Sequence, residues 1–403
     1  MNKIIALLTV FICFACAEKN KETQKDLSKL SWEEITTEAN GKAVTMMMWN
    51  GDSKINDYMQ NYVTPKLKKE HNIDLEIVGG QGPIIVQLLM TELQASKNTS
   101  DVDLVWINGE TFFQLRQIDG LYGPWTSQIP NAALIDFDNP FIGFDFQQAV
   151  NGYELPWGNV QMTLIYNSAT VKNPPKTREE LLAFAKEHPG TFTFDNHFTG
   201  LTFLKALLID ISGNRDELSG DFNEEKYTKY SAQLWDYINE LKPYLWRKGE
   251  VFPENVAQMH QLFATGELLF TMSNNDSEVD SKTLEGLFPE TSKAYVPDFG
   301  TIQNSHYLGI TKLSGEKAAA MVVANTLVSP EAQLTKMTPN IWGDGTVLDV
   351  QKLTPEQRQQ FETIPSRTRA PNRKDIQHKA LLELSPEYMI RLAEDFRKEI
   401  IEN

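Results

Sequence analysis

Apolar and polar positions alternate in blocks that read as strands ending in polar loops, with helices between them. Val44 to Met48 is a short apolar strand, ended by Trp49-Asn50-Gly51-Asp52-Ser53. Ile55, Tyr58, Met59 and Tyr62 then recur at helical spacing. A second strand is predicted over 73–78, a flexible Gly79-Gly80-Gln81-Gly82-Pro83 turn follows, and 85–95 reads as a helix. The third strand, 102–107, closes at Asn108-Gly109-Glu110. Strand, helix, strand, helix, strand is the pattern of a largely parallel sheet, in which ligands bind at the carboxyl ends of the strands. The loops 49–53 and 108–110 are therefore candidate walls of a site.

Gly152 to Gly158 is a candidate crossover, and a second unit starts near Asn159. Leu164-Ile165-Tyr166-Asn167 is an apolar strand; Asn173-Pro174-Pro175 makes a rigid turn, and Thr177 N-caps a helix with Glu179 and Glu180 in its first turn. Phe192-Thr193-Phe194 reads as a short strand, and 203–211 and 224–241 as helices, the latter with Tyr227, Tyr230, Leu234 and Ile238 on one face. A helix ends at Gly266; the apolar run 268–272 is a buried strand, and Ser273-Asn274-Asn275-Asp276 opens the loop beyond it. Residues 307–310 return the chain to the first unit, 318–327 form a helix, and the Pro-punctuated remainder is helical.

The first 38 residues differ in character. Lys3 precedes an apolar run from Ile4 to Ala15 that stops at Cys16, the layout of a secretory signal. Ala15-Cys16 resembles a lipoprotein junction, although Cys13 stands where such junctions prefer Leu. Residues 17–38 are polar and charged, as a tether is. Both cysteines of the chain lie in this leader, so the folded part is expected to carry no disulfide or thiol nucleophile.

A chain of 403 residues exceeds what one core usually supports, so two lobes are expected. The formal charge of −16 argues against a nucleic-acid partner, which rewards a basic face. Catalytic signatures are missing: the six histidines have no HxxxH or HExxH spacing, and there is no GxSxG, P-loop or GxGxxG. No metal site and no cofactor are expected. The polar loops hold the remaining chemistry. Trp49, Trp157 and Trp342 either stack on a ligand or pack in a core. Asn50, Asn108, Asn274 and Asn275 either bond a polar solute or stabilise their own turns. Asp52, Glu110 and Asp276 add negative charge suited to a cationic group, and Tyr307 with Asn304 completes the set.

Several of these segments, in order, resemble the extracellular solute-binding proteins of ATP-driven importers, the maltose-binding class. The strand and Pro-Pro turn at 164–182 look like the start of that family's second lobe. Gly266-Glu267 with its apolar strand is similar to its second-lobe ligand segment, and Ser329-Pro330-Glu331-Ala332-Gln333 to its terminal helix. Trp49 to Asn56, Val105 to Glu110 and Tyr122-Gly123-Pro124 resemble the YnjB-like branch.

The resemblance implies a two-lobed periplasmic-binding-protein fold of type II, α/β, each lobe a mainly parallel sheet flanked by helices, with the ligand cleft between lobes. It divides the chain into a signal segment 1–16, a tether 17–38, a first lobe of 39–155 plus about 305–338, and a second of 156–304 plus about 339–403. Three segments would cross between the lobes. The implied function is capture of a small polar solute, cationic or heteroaromatic and thiamine-like, by hinge closure, without covalent chemistry. Delivery would be to a membrane permease with a cytoplasmic ATPase. The protein is then an exported monomer, anchored at the cell envelope through lipid on Cys16. A carbohydrate ligand, or a lipid-anchored glycosidase, is the alternative reading.

Overall fold

The computed structural model describes residues 26–402. The signal segment, Cys13, Cys16 and residues 17–25 lie outside the described residues, and the rest of the expected tether is folded instead: the helix Trp32–Ala39 buries Ile35 and Ala39, with Leu27 before it, in the first core.

Among the described residues, eleven strands run in chain order: β1 (Ala43–Met48), β2 (Asp74–Gly79), β3 (Leu104–Ile107), β4 (Phe144–Asp145), β5 (Gln148–Ala149), β6 (Glu154–Gln161), β7 (Thr163–Asn167), β8 (Phe270–Ser273), β9 (Ser292–Tyr295), β10 (Thr301–Ile310) and β11 (Ala380–Leu381). β2, β1 and β3 are parallel neighbours, as their alternation with helices predicts. β10 joins β3 antiparallel, and β6 joins β10 antiparallel on its other side. Val44, Met46, Met48, Leu104, Leu308 and Ile310 enter one core with the apolar helix Lys317–Leu327.

The second lobe departs from expectation. Its three-stranded sheet, β8-β7-β9, is antiparallel throughout, and the parallel pairing found on that side is the short β10–β11 pair, Thr301–Ala380 and Ile302–Leu381. Phe192 and Phe194 form no strand; both are fully buried as loop residues among the helices 198–212 and 224–241. The N-cap works as the sequence predicts, with Thr177 Oγ1 accepting from the Glu180 N–H at 3.2 Å.

β6 and β10 are the long strands that link the lobes. Leu155 and Trp157 of β6 lie in the first core, whereas Met162 and Leu164 just beyond lie in the second. Ile302 and Leu308 divide β10 in the same way. The later crossing does not fall near 339. Trp342, Val347, Leu348 and Leu353 still pack in the first core, while Ala370 packs beside β7 and Leu381 and Leu384 enter the second. The terminal helix Pro386–Phe396 buries Tyr388, Met389, Leu392 and Phe396 against the second lobe. Among the described residues, no helix is long and apolar enough to cross a membrane.

Candidate functional site

The polar loops at the ends of β1, β3 and β8 meet the opposite lobe, and each named residue has a definite fate there. Asp52 caps the helix Ser53–Tyr58: its Oδ1 accepts from the Lys54 and Ile55 N–H groups at 2.8 and 3.1 Å. Its Oδ2 accepts from Lys282 Nζ on the second lobe at 2.5 Å. Burial pushes Lys282 down, but Glu278 and Asp52 outweigh it and hold its ammonium above the usual lysine range. Asp276 is 1% exposed and clasped by two arginines, Arg367 Nη1 at 2.6 Å and Arg373 Nε at 2.9 Å. Burial alone would raise that carboxyl; Arg373 and Arg367 reverse it and keep it below the usual range. Two of the three carboxylates expected to face a cation therefore already have protein partners.

The asparagines divide similarly. Asn275 makes a turn, its Oδ1 accepting from the Ser277 N–H at 3.0 Å. Asn274 reaches Thr199 Oγ1 at 3.1 Å. The carbonyls of Asn50 and Asn108 accept from Asn56 Nδ2 and the Thr111 N–H, which leaves the Asn50 side chain exposed and that of Asn108 half-buried. Tyr307 is fully buried, and its hydroxyl donates to the carbonyls of Ile142 and Phe144 at 3.0 Å.

The tryptophans separate as well. Trp157 is fully buried and Trp342 is 5% exposed. Their rings lie 5.4 Å apart in a cluster with Trp106 and His306. They offer core faces rather than cleft faces, because Trp157 on β6 and Trp342 after the helix Pro330–Met337 both pack into the first core. Trp49 remains half-buried.

Glu110 is the acid that stays uncommitted. It starts the helix Glu110–Gln117, its Oε2 has no partner among the described residues, and burial raises its carboxyl while Lys205 partly offsets this. Sequence reasoning missed the groups beside it. Asp145, on the β4–β5 hairpin, is 1% exposed and accepts from the Gly109 N–H at 2.5 Å. Burial holds its carboxyl well above the ordinary range. Lys205 of the helix Phe198–Ser212 is fully buried, paired with Glu383 and 4.1 Å from the centroid of the Phe146 ring. Asn304 Nδ2 donates to the other Glu383 oxygen at 3.0 Å. A lysine inside an apolar run was the available signal: Phe203-Leu204-Lys205-Ala206-Leu207 is wholly buried, so its charge requires a partner.

Asp145, Glu383 and Asn304 border a cavity of about 190 Å³ whose walls also include Phe141, Phe144 and Phe146. The hairpin that supplies three of them bridges the lobes. Gln147 donates to the Glu383 carbonyl at 2.8 Å, and Phe146 and Gln147 adopt left-handed φ of 45° and 61° at its turn. Gly109 stands directly against it, where a Cβ would come within 2.5 Å of the Phe146 ring. Among the described residues, no three His, Cys, Asp or Glu converge as metal ligands.

This arrangement, two cores joined by two long strands with polar loops facing between them, can be compared with known proteins. A family model described as bacterial extracellular solute-binding protein matches residues 63–361. The chain belongs to that family. Among its relatives is Protein YnjB of Escherichia coli strain K12, 37% identical over 336 residues, which cover 82% of this chain and 86% of that protein. Solved structures agree on the fold. An ABC transporter substrate-binding protein from Bradyrhizobium japonicum superposes with a TM-score of 0.63 at 18% identity, covering 89% of this chain and 99% of that one. A periplasmic thiamin binding protein does so at 0.59 and 17%, covering 89% and 95%. The spermidine/putrescine substrate-binding protein PotD of Streptococcus pneumoniae gives 0.58 and 16%, covering 88% and 99%. Extracellular solute-binding proteins of ABC importers take a small-molecule ligand and have permease partners, so the space between the lobes is where this chain's ligand is to be sought.

Proposed function

We propose that this protein captures a small cationic or heteroaromatic solute between its lobes and delivers it to a membrane permease. In this reading it works at the cell envelope as a lipoprotein tethered through Cys16. The observation that supports a cation is the presence of carboxyl groups beside aromatic rings in the wall of the hairpin cavity, where an entering cation would favour their ionised form. Asp145 and Glu383 stand in its wall, Glu383 paired with Lys205 and Glu110 close enough to act on Asp145, with Phe141, Phe144 and Phe146 as the apolar walls. A cation entering this space gains from the carboxylates and from the ring faces, each well-placed face being worth roughly 0.5–2 kcal/mol. Closure of the lobes then removes water and strengthens both terms. The thiamin-binding and spermidine/putrescine-binding proteins of the same fold suggest the first probes.

Calorimetry on the mature protein with thiamine, spermidine and a maltodextrin tests this reading. Binding of a cation that is lost in Asp145→Asn and Glu383→Gln, with both variants folded, is the expected result. Tight binding of the neutral sugar with no response to either cation would replace it by the carbohydrate reading. The anchor has its own test: Cys16→Ala should release the protein from the membrane fraction, and a mature protein beginning anywhere other than a modified Cys16 would refute it.

A further inference from the structure

β6 and β10, which carry the chain between the lobes, share one irregularity. They pair from Gln303–Gln161 to Gly309–Glu154, but the register shifts between His306, opposite Gly158, and Tyr307, opposite Pro156. Trp157 is the extra residue of this bulge. A bulge bends the strand that carries it, so β6 turns at Trp157 where it runs beside β10 between the lobes.

A buried charge cluster sits on that bend. Asp344 Oδ2 lies 2.9 Å from His306 Nε2 and accepts from Lys336 Nζ at 2.5 Å. Lys336 also donates to the carbonyls of Trp157 and Gly345 at 2.6 and 2.7 Å, and Gln333 adds a bond to the Trp157 carbonyl at 2.8 Å. Lys336 is fully buried, Asp344 is 1% exposed and His306 is 8% exposed. The side-chainless Gly158 makes room: a Cβ there would lie 1.9 Å from His306 Nε2 and 2.3 Å from Asp344 Oδ2. The imidazole is boxed by Trp106, Trp157 and Trp342, with centroids at 4.9, 5.2 and 5.8 Å. One cluster thus ties both crossing strands to the helix Pro330–Met337 and the loop after it.

The charges balance only while the imidazole is neutral. Lys336 and Asp344 cancel, and His306 donates its Nε2–H to the carboxylate. Around them, Arg373 from the 367–373 segment acts on both Lys336 and Asp344 while holding Asp276, and the buried Tyr58 hydroxyl is bonded to the Ala332 carbonyl. A protonated His306 would set a second cation beside Lys336 with no further carboxylate in the cluster. We propose that His306 is a pH-sensitive pivot of the hinge: its neutral ring, with Asp344 and Lys336, fixes the bend of β6 against β10, and uptake of one proton from solvent at Nδ1 releases it. Burial lowers the imidazole in the folded protein, with Asp344 only partly opposing it. The pinning is therefore complete above the ordinary imidazole value of about 6.5 and fades as the pH falls below it.

The test needs no ligand, so it stands apart from the identity of the solute. Small-angle scattering and tryptophan emission are recorded on ligand-free protein from about pH 7.5 to about pH 5, the range in which imidazole titrates, with circular dichroism confirming the fold. The radius of gyration and the emission should shift together with a midpoint below about 6.5, and that shared transition should be absent from His306→Gln, which keeps a donor but cannot titrate, any change due to Glu278 near 7 being common to both proteins. If that variant does not fold, His306→Asn takes its place. A His306→Gln protein that titrates like the wild type overturns the proposal. So does a wild-type emission change with an unchanged radius, which would be local protonation without motion, and so does a wild type flat in both.

Discussion

Asp52 and Lys282 meet across the two lobes, carboxylate Oδ2 to ammonium Nζ at 2.5 Å, with side chains 10% and 8% exposed. A residue that in sequence looks like a free loop acid is thereby a helix cap and half of an interlobe ion pair. Nearby, Ser53 Oγ reaches Glu285 at 3.4 Å and Lys54 Nζ donates to the Asn340 carbonyl at 3.1 Å, so one end of the first-lobe helix is fastened to its surroundings.

Asp52→Asn should isolate the charge, because Asn caps a helix about as well as Asp. Lys282 keeps Glu285 at 3.1 Å and Glu278 at 3.6 Å, so the expected loss lies below that of a fully orphaned buried charge. A decrease of about 1–3 kcal/mol in urea unfolding is expected. No change would mean that the pair contributes nothing net to stability.

Glu278 gives a pH dependence of definite sign. Burial, then Asp52, raise its carboxyl to about 7. The folded value lies above the unfolded one, so its contribution is complete below about 4.5 and is lost as the pH rises through 7. Glu278→Gln should therefore gain on the wild type between about pH 5 and about pH 8, compared by urea midpoints. His260, lowered to about 4 chiefly by burial, works the other way: its contribution is present above 6.5 and fades as the pH falls. A Glu278→Gln difference that is the same at both pH values contradicts the assignment.

Removing the carboxylate at Asp276 strands two arginines in a site where their partner is 1% exposed. Asp276→Asn should cost roughly 3–5 kcal/mol, the range for breaking a buried pair from one side. Unfolding at equilibrium checks it, and a variant within error of wild type would show that the arginines find water instead.

Trp157 and Trp49 should separate cleanly on truncation. Trp157→Ala removes a fully buried ring from the aromatic cluster and should lose about 3–5 kcal/mol. Trp49→Ala, at a half-buried loop position, should lose clearly less by the same unfolding measurement. Equal losses would place both rings in the core.

The strand-and-helix alternation of residues 43–107 determined the parallel β1–β3 block, because period and loop chemistry are local properties. The Thr177 cap, the helix Glu224–Leu241 with its buried Tyr227, Leu234 and Ile238, and the glycine stop after Ala264, at φ +77°, were equally legible. The strand direction in β8-β7-β9 was not, since apolar runs look alike in parallel and antiparallel sheets. The partner of a charge was also beyond reach. Asp52 lies 230 residues from Lys282, Lys205 lies 178 from Glu383, and His306 lies 38 from Asp344. Whether such a group waits for a ligand or is already neutralised depends on which lobe surface folds against it. Local sequence sets what a loop can offer; only the packing of the two lobes decides what remains free to be used.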